Sequence, residues 1–359
     1  MNLDTHIAQL HSGAHLTRAE AETIAEELLT GKLADGEIAR LLSLLRDKGE
    51  CVEELVGFAT VMRRHAKPVF PDMDAAQRSA LANELVDTCG TGGSSRGAFN
   101  ISTAAAFVAA GAGVRVAKHG NRTYSGVSGS ADVLEALGVR VDLPPQVAGT
   151  AIQEIGIGFL FAPAAHSAAR HAAAARKQLG GRTIFNLLGP LTNPAGAAAQ
   201  VLGVIHERWV EPMAHALAEL GTRHAFVVHG EDGLDEISLS GPTLVAQVGD
   251  ANNAAADPGN PRRPSVRMFL VSPEDFGMAR APLSAIAGGG PTENAEIIRA
   301  VLAGEKSARR DIVVANAAAA IVAGTKAANF RDGARMAAES IDSGAAAKKL
   351  AALIEFTNR

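Results

Sequence analysis

The run Asp87-Thr88-Cys89-Gly90-Thr91-Gly92-Gly93 places three glycines within four residues, and Asn100-Ile101-Ser102-Thr103 follows shortly after it. Without side chains, Gly90, Gly92 and Gly93 let the backbone approach a ligand and aim amide N–H groups at one point, as an anion requires. A helix starting near Ser102 would add the partial positive charge of its N-terminus. The run matches neither the Walker A pattern nor G-x-G-x-x-G. Taken alone, it reads equally as a phosphate cradle or a tight turn.

Two further clusters bear charge. Lys118-His119-Gly120-Asn121-Arg122 follows the apolar stretch from Val114 to Ala117, which reads as a strand. Lys118 and Arg122 can neutralise phosphate or pyrophosphate, Arg in bidentate fashion; a solvated loop is the alternative. Ser125, Ser128 and Ser130 add hydroxyls ahead of a helix starting near Ala131. Farther along, Asp235-Glu236 lies in an acidic loop after the strand Phe226-Val227-Val228. Carboxylate oxygens suit Mg²⁺, which is often shared with substrate phosphates. Adjacent residues of a strand face opposite ways, so joint metal work by this pair needs a turn, which the nearby glycines permit. Otherwise the loop is simply solvated.

Other candidates are weaker. Arg176 lies in an Ala-rich helix over 168–179 and could reach a substrate carboxylate, although a lone helical Arg is more often a surface residue. His166 and His171 are five apart, off the i,i+4 spacing of a zinc helix, and no third ligand is evident. Cys51 and Cys89 form no CxxC pair and read as reduced thiols of a cytoplasmic protein. No Ser-His-Asp arrangement suggests a covalent nucleophile.

The elements that must position these residues follow from pattern. Residues 1 to about 70 read as helices. Thr17 caps the first strong one with Glu20 at the capping-box position, Ile24, Leu28 and Leu29 follow on one face, and Gly31 and Gly49 stand where helices stop. From about residue 84, short apolar runs (Leu85-Val86, Val114 to Val116, Phe226 to Val228, Val266 to Leu270) alternate with Ala-rich helices. That alternation predicts βαβ units, a mainly parallel sheet, and ligands beyond the carboxyl ends of its strands. The glycine run directly follows Leu85-Val86. Residues 250–264, with three prolines, read as an exposed loop, and Gly288-Gly289-Gly290 as a second flexible break. Residues 315–328 read as a buried helix.

Bulk properties exclude other classes. The 359 residues carry a net charge of −4 and only 4% aromatics, which argues against a nucleic-acid surface or base-stacking platform. No basic leader with an apolar core opens the chain, and no apolar run is long enough to span a membrane.

Taken in order, these segments resemble the anthranilate phosphoribosyltransferase family, within the nucleoside phosphorylase-like phosphoribosyltransferases. The resemblance is carried by Leu44 to Glu50, Asp87 to Gly93, Phe99 to Thr103, Lys118 to Arg122, Ser128 to Gly138, Thr183 to Pro194 and Gly233 to Ser238. It implies a small N-terminal helical domain (1–75, joined by a helical segment near 168–195) on a larger α/β domain (76–359) with a mainly parallel central sheet. It implies that Gly90, Thr91, Gly92, Gly93, Ser94, Asn100, Ser102, Thr103, Lys118, Asn121, Arg122, Ser125 and Ser130 bind phosphoribosyl pyrophosphate. Gly90, His119, Asn121 and Arg176 would receive anthranilate, and Ser102, Asp235 and Glu236 would hold Mg²⁺. It also implies a homodimer through the helical domain, with no nucleic-acid or membrane partner. Two alternatives are a related enzyme using another aromatic acceptor and a non-catalytic homologue that binds nucleic acid. The chain departs from the family's usual pattern at Ser94, where an Asp is usual, at Arg96, which adds a cation, and at Val127, where a basic or polar residue is common. These departures bear on substrate affinity more than on fold.

Overall fold

A computed structural model describes residues 3–93, 97–123, 126–249, 256–257 and 260–359. The N-terminal helices Leu3–His11, Arg18–Leu29, Asp35–Lys48 and Val52–Arg64 form a small helical domain. Thr17 caps Arg18–Leu29 in a capping box with Glu20, and Gly49 ends Asp35–Lys48. Their apolar faces, including Ile24, Leu28, Leu42, Leu45 and Phe58, merge into one cluster with Ala175, Ile184 and Leu188 from far along the chain. The helical domain is therefore packed in part on residues of the later segment.

Among its described residues the larger α/β domain holds nine strands: β1 Leu85–Asp87, β2 Arg115–Gly120, β3 Ile157–Phe161, β4 Ala199–Gly203, β5 His224–Gly230, β6 Thr243–Val248, β7 Ala256–Asp257, β8 Asn260–Pro264 and β9 Val266–Val271. Seven form one sheet in the order β3-β2-β1-β4-β5-β6-β9. The pairs from β3 through β5 are parallel, and β6 and β9 add antiparallel. The order reverses direction at β1, since β2 and β3 build to one side of it and β4 and β5 to the other. The crevice between the carboxyl ends of β1 and β4 is thus the topological switch point, where such sheets bind ligands.

The helix Ala308–Ala323 crosses the sheet's core face, buried along nearly its whole length. Its small side chains let the helices Ile101–Gly111 and Phe330–Asp342 pack closely against it. No helix among the described residues is long and apolar enough to cross a membrane.

Several sequence expectations change. The strand expected to end at Ala117 runs on to Gly120, so Lys118 and His119 are strand residues. The 168–179 helix is broken into a 3-10 turn, Ser167–Ala172, and a short helix, Ala173–Leu179. Within the expected 250–264 loop, residues 256–257 and 260–264 pair as an antiparallel ribbon; residues 250–255 and 258–259 lie outside the described set. The Gly288-Gly289-Gly290 break is tied down: Gly288 N–H donates to Gly97 O at 2.8 Å, Gly289 N–H to Asn294 Oδ1 at 2.8 Å, and Gly290 caps the helix Pro291–Leu302.

Candidate active site

The glycine run leaves β1 at the switch point and rests on the end of β4. Thr91 N–H donates to Gly203 O at 2.9 Å, and a β-carbon on Gly90 would stand 2.8 Å from that same oxygen. Residue 90 must be glycine for the loop to lie this close. Gly92 and Gly93 adopt φ of +63° and +83°, the left-handed region that favours glycine. The loop is a tight turn by conformation, and it also faces a cleft of about 770 Å³.

Behind it, β1 and β2 carry a buried charged layer. Asp87 is fully buried; its Oδ1 accepts His119 N–H at 3.0 Å and its Oδ2 accepts Asn193 Nδ2 at 2.8 Å. Asn193 also donates to Ala117 O at 2.8 Å, tying the two strand ends together. Burial raises the Asp87 carboxyl to about 6 despite the nearby Lys118. Lys118, 4% exposed, donates to Thr88 Oγ1 at 3.1 Å and lines the cleft. Asp87, Cys89 and His119 come close enough to share an ion. Asp87 is occupied by its two donors, however, and burial pushes the Cys89 thiol well above its usual range, so the cluster reads as structural.

The opposite wall carries the acidic pair. Asp235 and Glu236 follow β5 in an irregular loop, the turn their joint action requires. Ser102 N–H, at the start of the helix Ile101–Gly111, donates to Glu236 Oε1 at 3.1 Å. Removal from water and the neighbouring Asp235 push the Glu236 carboxyl up to about 8, against weaker pulls from Lys118 and Ser102. A carboxyl so destabilised as an anion, beside a second carboxylate and a hydroxyl, is an oxygen-only donor set suited to a hard divalent cation.

Elsewhere in the cleft, Arg176 stacks its guanidinium over Phe185, 5.1 Å from the ring centroid, and both line the cleft. His119 Nδ1 lies 3.0 Å from Gly189 O. That contact needs the proton on Nδ1, which leaves Nε2 a bare acceptor, buried and unpartnered among the described residues. Burial lowers the His119 pKa to about 3, keeping the ring neutral.

All the sequence candidates that are described line this one cleft: Gly90, Thr91, Gly92, Gly93, Asn100, Ser102, Thr103, Lys118, His119, Asn121, Arg122, Ser130, Arg176, Asp235 and Glu236. Ser94 and Ser125, with Arg96, lie outside the described residues. Two candidates have their side chains committed elsewhere. Arg122 pairs with Glu135 at 2.5 Å and Asp132 at 3.3 Å, so its charge is already matched. Asn100 accepts from Ser128 Oγ and Asn294 Nδ2, both at 3.0 Å, and donates to Ser128 O at 3.0 Å. Val127 is 73% exposed at the cleft rim.

The structure adds residues that the sequence reading set aside or did not consider. His166 lines the cleft with its ring edge-on to His119, centroids 5.2 Å apart, and burial lowers it to about 4. Spacing to His171 was the wrong test, because its neighbour is 47 positions earlier in the numbering. Arg182, Asn193, Gly203 and Asn294 also belong to the site or its frame. Asn193 falls inside a quoted motif; nothing local marks the other three.

Residues 82–347 match the "Glycosyl transferase family, a/b domain" and residues 5–66 the "Glycosyl transferase family, helical bundle domain". The chain is 50% identical over 351 residues to anthranilate phosphoribosyltransferase of Pelotomaculum thermopropionicum, covering 98% of this chain and 95% of that one. Among solved structures it is similar to the anthranilate phosphoribosyltransferase of Thermus thermophilus, with a TM-score of 0.87, 41% identity and full coverage of both chains. It is also similar to that of Saccharomyces cerevisiae in complex with phosphoribosyl pyrophosphate and magnesium, with a TM-score of 0.84, 27% identity, and 99% and 98% of the two chains covered.

Proposed function

The chain belongs to the anthranilate phosphoribosyltransferase family, and we propose from that premise how its cleft carries out the reaction. The enzyme is a glycosyltransferase of tryptophan biosynthesis that moves the phosphoribosyl group of phosphoribosyl pyrophosphate to the amine of anthranilate. The observation that carries the assignment of roles is the Gly90–Gly203 contact at the switch point. It sets the glycine loop, Lys118 and the Asp235–Glu236 loop around one cavity.

In this reading the Gly90 to Gly93 backbone and Lys118 hold the diphosphate, with Ser102 and Thr103 beside them at a helix start. Thr103 Oγ1 is buried and has no partner among the described residues, so it is available to a ligand oxygen. Arg176 pairs with the anthranilate carboxylate, while Asn121 and the bare His119 Nε2 steer the amine toward C1 of the ribose. The C–N bond forms as the C1–O bond breaks, the bonding pair leaves with diphosphate, and the new ammonium then loses a proton. The transition state has oxocarbenium character, so the work is positioning two substrates and steadying the departing charge. Ser102, Asp235 and Glu236 would hold Mg²⁺, which when bound supplies positive charge to the diphosphate. No covalent nucleophile is required.

The same reading assigns the phosphoribosyl pyrophosphate domain to 76–359 and the helical domain to 1–75 with 168–195. It carries a homodimer through the helical domain and a cytoplasmic location, both by resemblance to the family. Its test is direct. Purified protein with Mg²⁺ should consume fluorescent anthranilate only when phosphoribosyl pyrophosphate is added. Undiminished fluorescence at high enzyme sinks the assignment.

A further inference from the structure

Arg182 sits between the helices Ala173–Leu179 and Ile184–Leu191, six residues after Arg176. The first of these helices carries Arg176 at the acceptor end of the cleft. Arg182 reaches the glycine loop, where its Nη1 donates to Gly92 O at 3.0 Å. Its Nη2 is buried and has no partner among the described residues, although the residue lines the cleft. Burial works against its charge, and the Asp235 carboxylate is the group that favours it.

This arrangement is poor as a purely structural device. A guanidinium held for one carbonyl contact leaves an amino group unsatisfied and a charge partly withdrawn from water, a costly combination. If Asp235 takes part in holding a cation, it is also less able to balance Arg182. An anion bound among Arg182, the glycine loop and Lys118, all of which line the cleft, would satisfy Nη2 and balance the charge. Resting on the reading of the cleft given above, we propose that Arg182 is a diphosphate-binding residue. It receives the leaving group on Nη2 while Nη1 holds the glycine loop in place through Gly92. The segment 176–182 would then contact both substrates, the acceptor through Arg176 and the leaving group through Arg182.

The test uses the full-length protein and magnesium diphosphate as probe. Calorimetry should give a dissociation constant for R182Q raised roughly tenfold or more over the unsubstituted protein, the scale of one lost charged hydrogen bond. The KM for phosphoribosyl pyrophosphate should rise with it, while the KM for anthranilate stays within about twofold. R182K, which keeps the charge but loses the fork, should fall between. A merely structural arginine would instead lower the melting temperature and shift both KM values together. That result, or R182Q binding diphosphate as the unsubstituted protein does, overturns the role of Arg182 alone. If R182Q does not fold, R182K decides: diphosphate affinity within about twofold of the original overturns it. Failure of the unsubstituted protein to bind magnesium diphosphate overturns the reading of the whole cleft, and this proposal with it.

Discussion

Gly203, the last residue of β4, lies so close beneath the backbone of Asp235 that a β-carbon on it would stand 1.7 Å from the Asp235 carbonyl oxygen. The same glycine receives Thr91 N–H on its own carbonyl. One residue without a side chain thus sets the separation between the loop assigned to diphosphate and the loop assigned to the cation.

Gly203→Ala should therefore damage the site more than the fold. The clash is with backbone, so the acidic loop must shift by about an ångström or more. Misplacement on that scale costs on the order of 100-fold in rate, and forcing a methyl into a packed site costs about 1–3 kcal/mol of stability. We expect a folded protein by circular dichroism, a turnover rate down by about two orders of magnitude, and a raised Mg²⁺ requirement. Near-normal turnover at the original Mg²⁺ concentration would show that the loop position is not critical.

Glu236 makes the site sensitive to pH. Its carboxyl is raised from an ordinary 4.5 to about 8, first by desolvation and then by Asp235. A raised carboxyl binds more protons folded than unfolded. Its stabilising contribution is thus complete below pH 4.5 and is lost as pH rises through about 8. The metal-free protein should melt at progressively lower temperature from pH 6 to 9, and Glu236→Gln should flatten that slope. If Glu236 holds Mg²⁺ as proposed, ion binding must also displace this proton, so near pH 7 roughly one proton should be released per ion. Calorimetry in two buffers of different ionisation enthalpy reads that number directly. Equal proton release from the glutamine variant would remove Glu236 from the metal site.

The contrast between Gly90 and Gly203 shows what the sequence makes legible. Gly90 lies in a dense glycine run after a strand, so its place at a ligand could be expected. Gly203 ends a strand, Ala199–Gly203, that has no turn signal and no clear alternation, because a central parallel strand is buried on both faces. The helical domain was readable because caps and apolar spacing act locally. The links His119–His166, Asn100–Asn294 and Arg182–Gly92 join residues 47 to 194 apart in the numbering, and no local rule connects such positions. The extension of β2 to Gly120 was hidden for a related reason: Lys118 and His119 look like loop residues until the fold supplies Thr88, Asp87 and Gly189 as partners.

Replacing Arg176 tests how the two substrate roles divide. In sequence a lone arginine on an Ala-rich helix favours the surface. In the structure the helix is short, and the guanidinium lies against Phe185 inside the cleft. The aromatic face fixes the plane of the guanidinium, which suits two parallel hydrogen bonds to a carboxylate. If Arg176 pairs with the acceptor carboxylate as proposed, Arg176→Ala removes a charged pair worth about 1.5–3 kcal/mol, so the KM for anthranilate should rise roughly 10- to 100-fold. The KM for phosphoribosyl pyrophosphate should stay within about twofold. Arg176→Lys keeps the charge but loses both the stack and the fork, so it should recover only part of the loss. Replacing the carboxylate instead of the arginine gives the matching control: an anthranilate analogue carrying a carboxamide should be used about equally poorly by the original protein and by Arg176→Ala. If Arg176→Ala weakens both substrates equally, its part is to join the two domains, and the acceptor carboxylate must be held elsewhere.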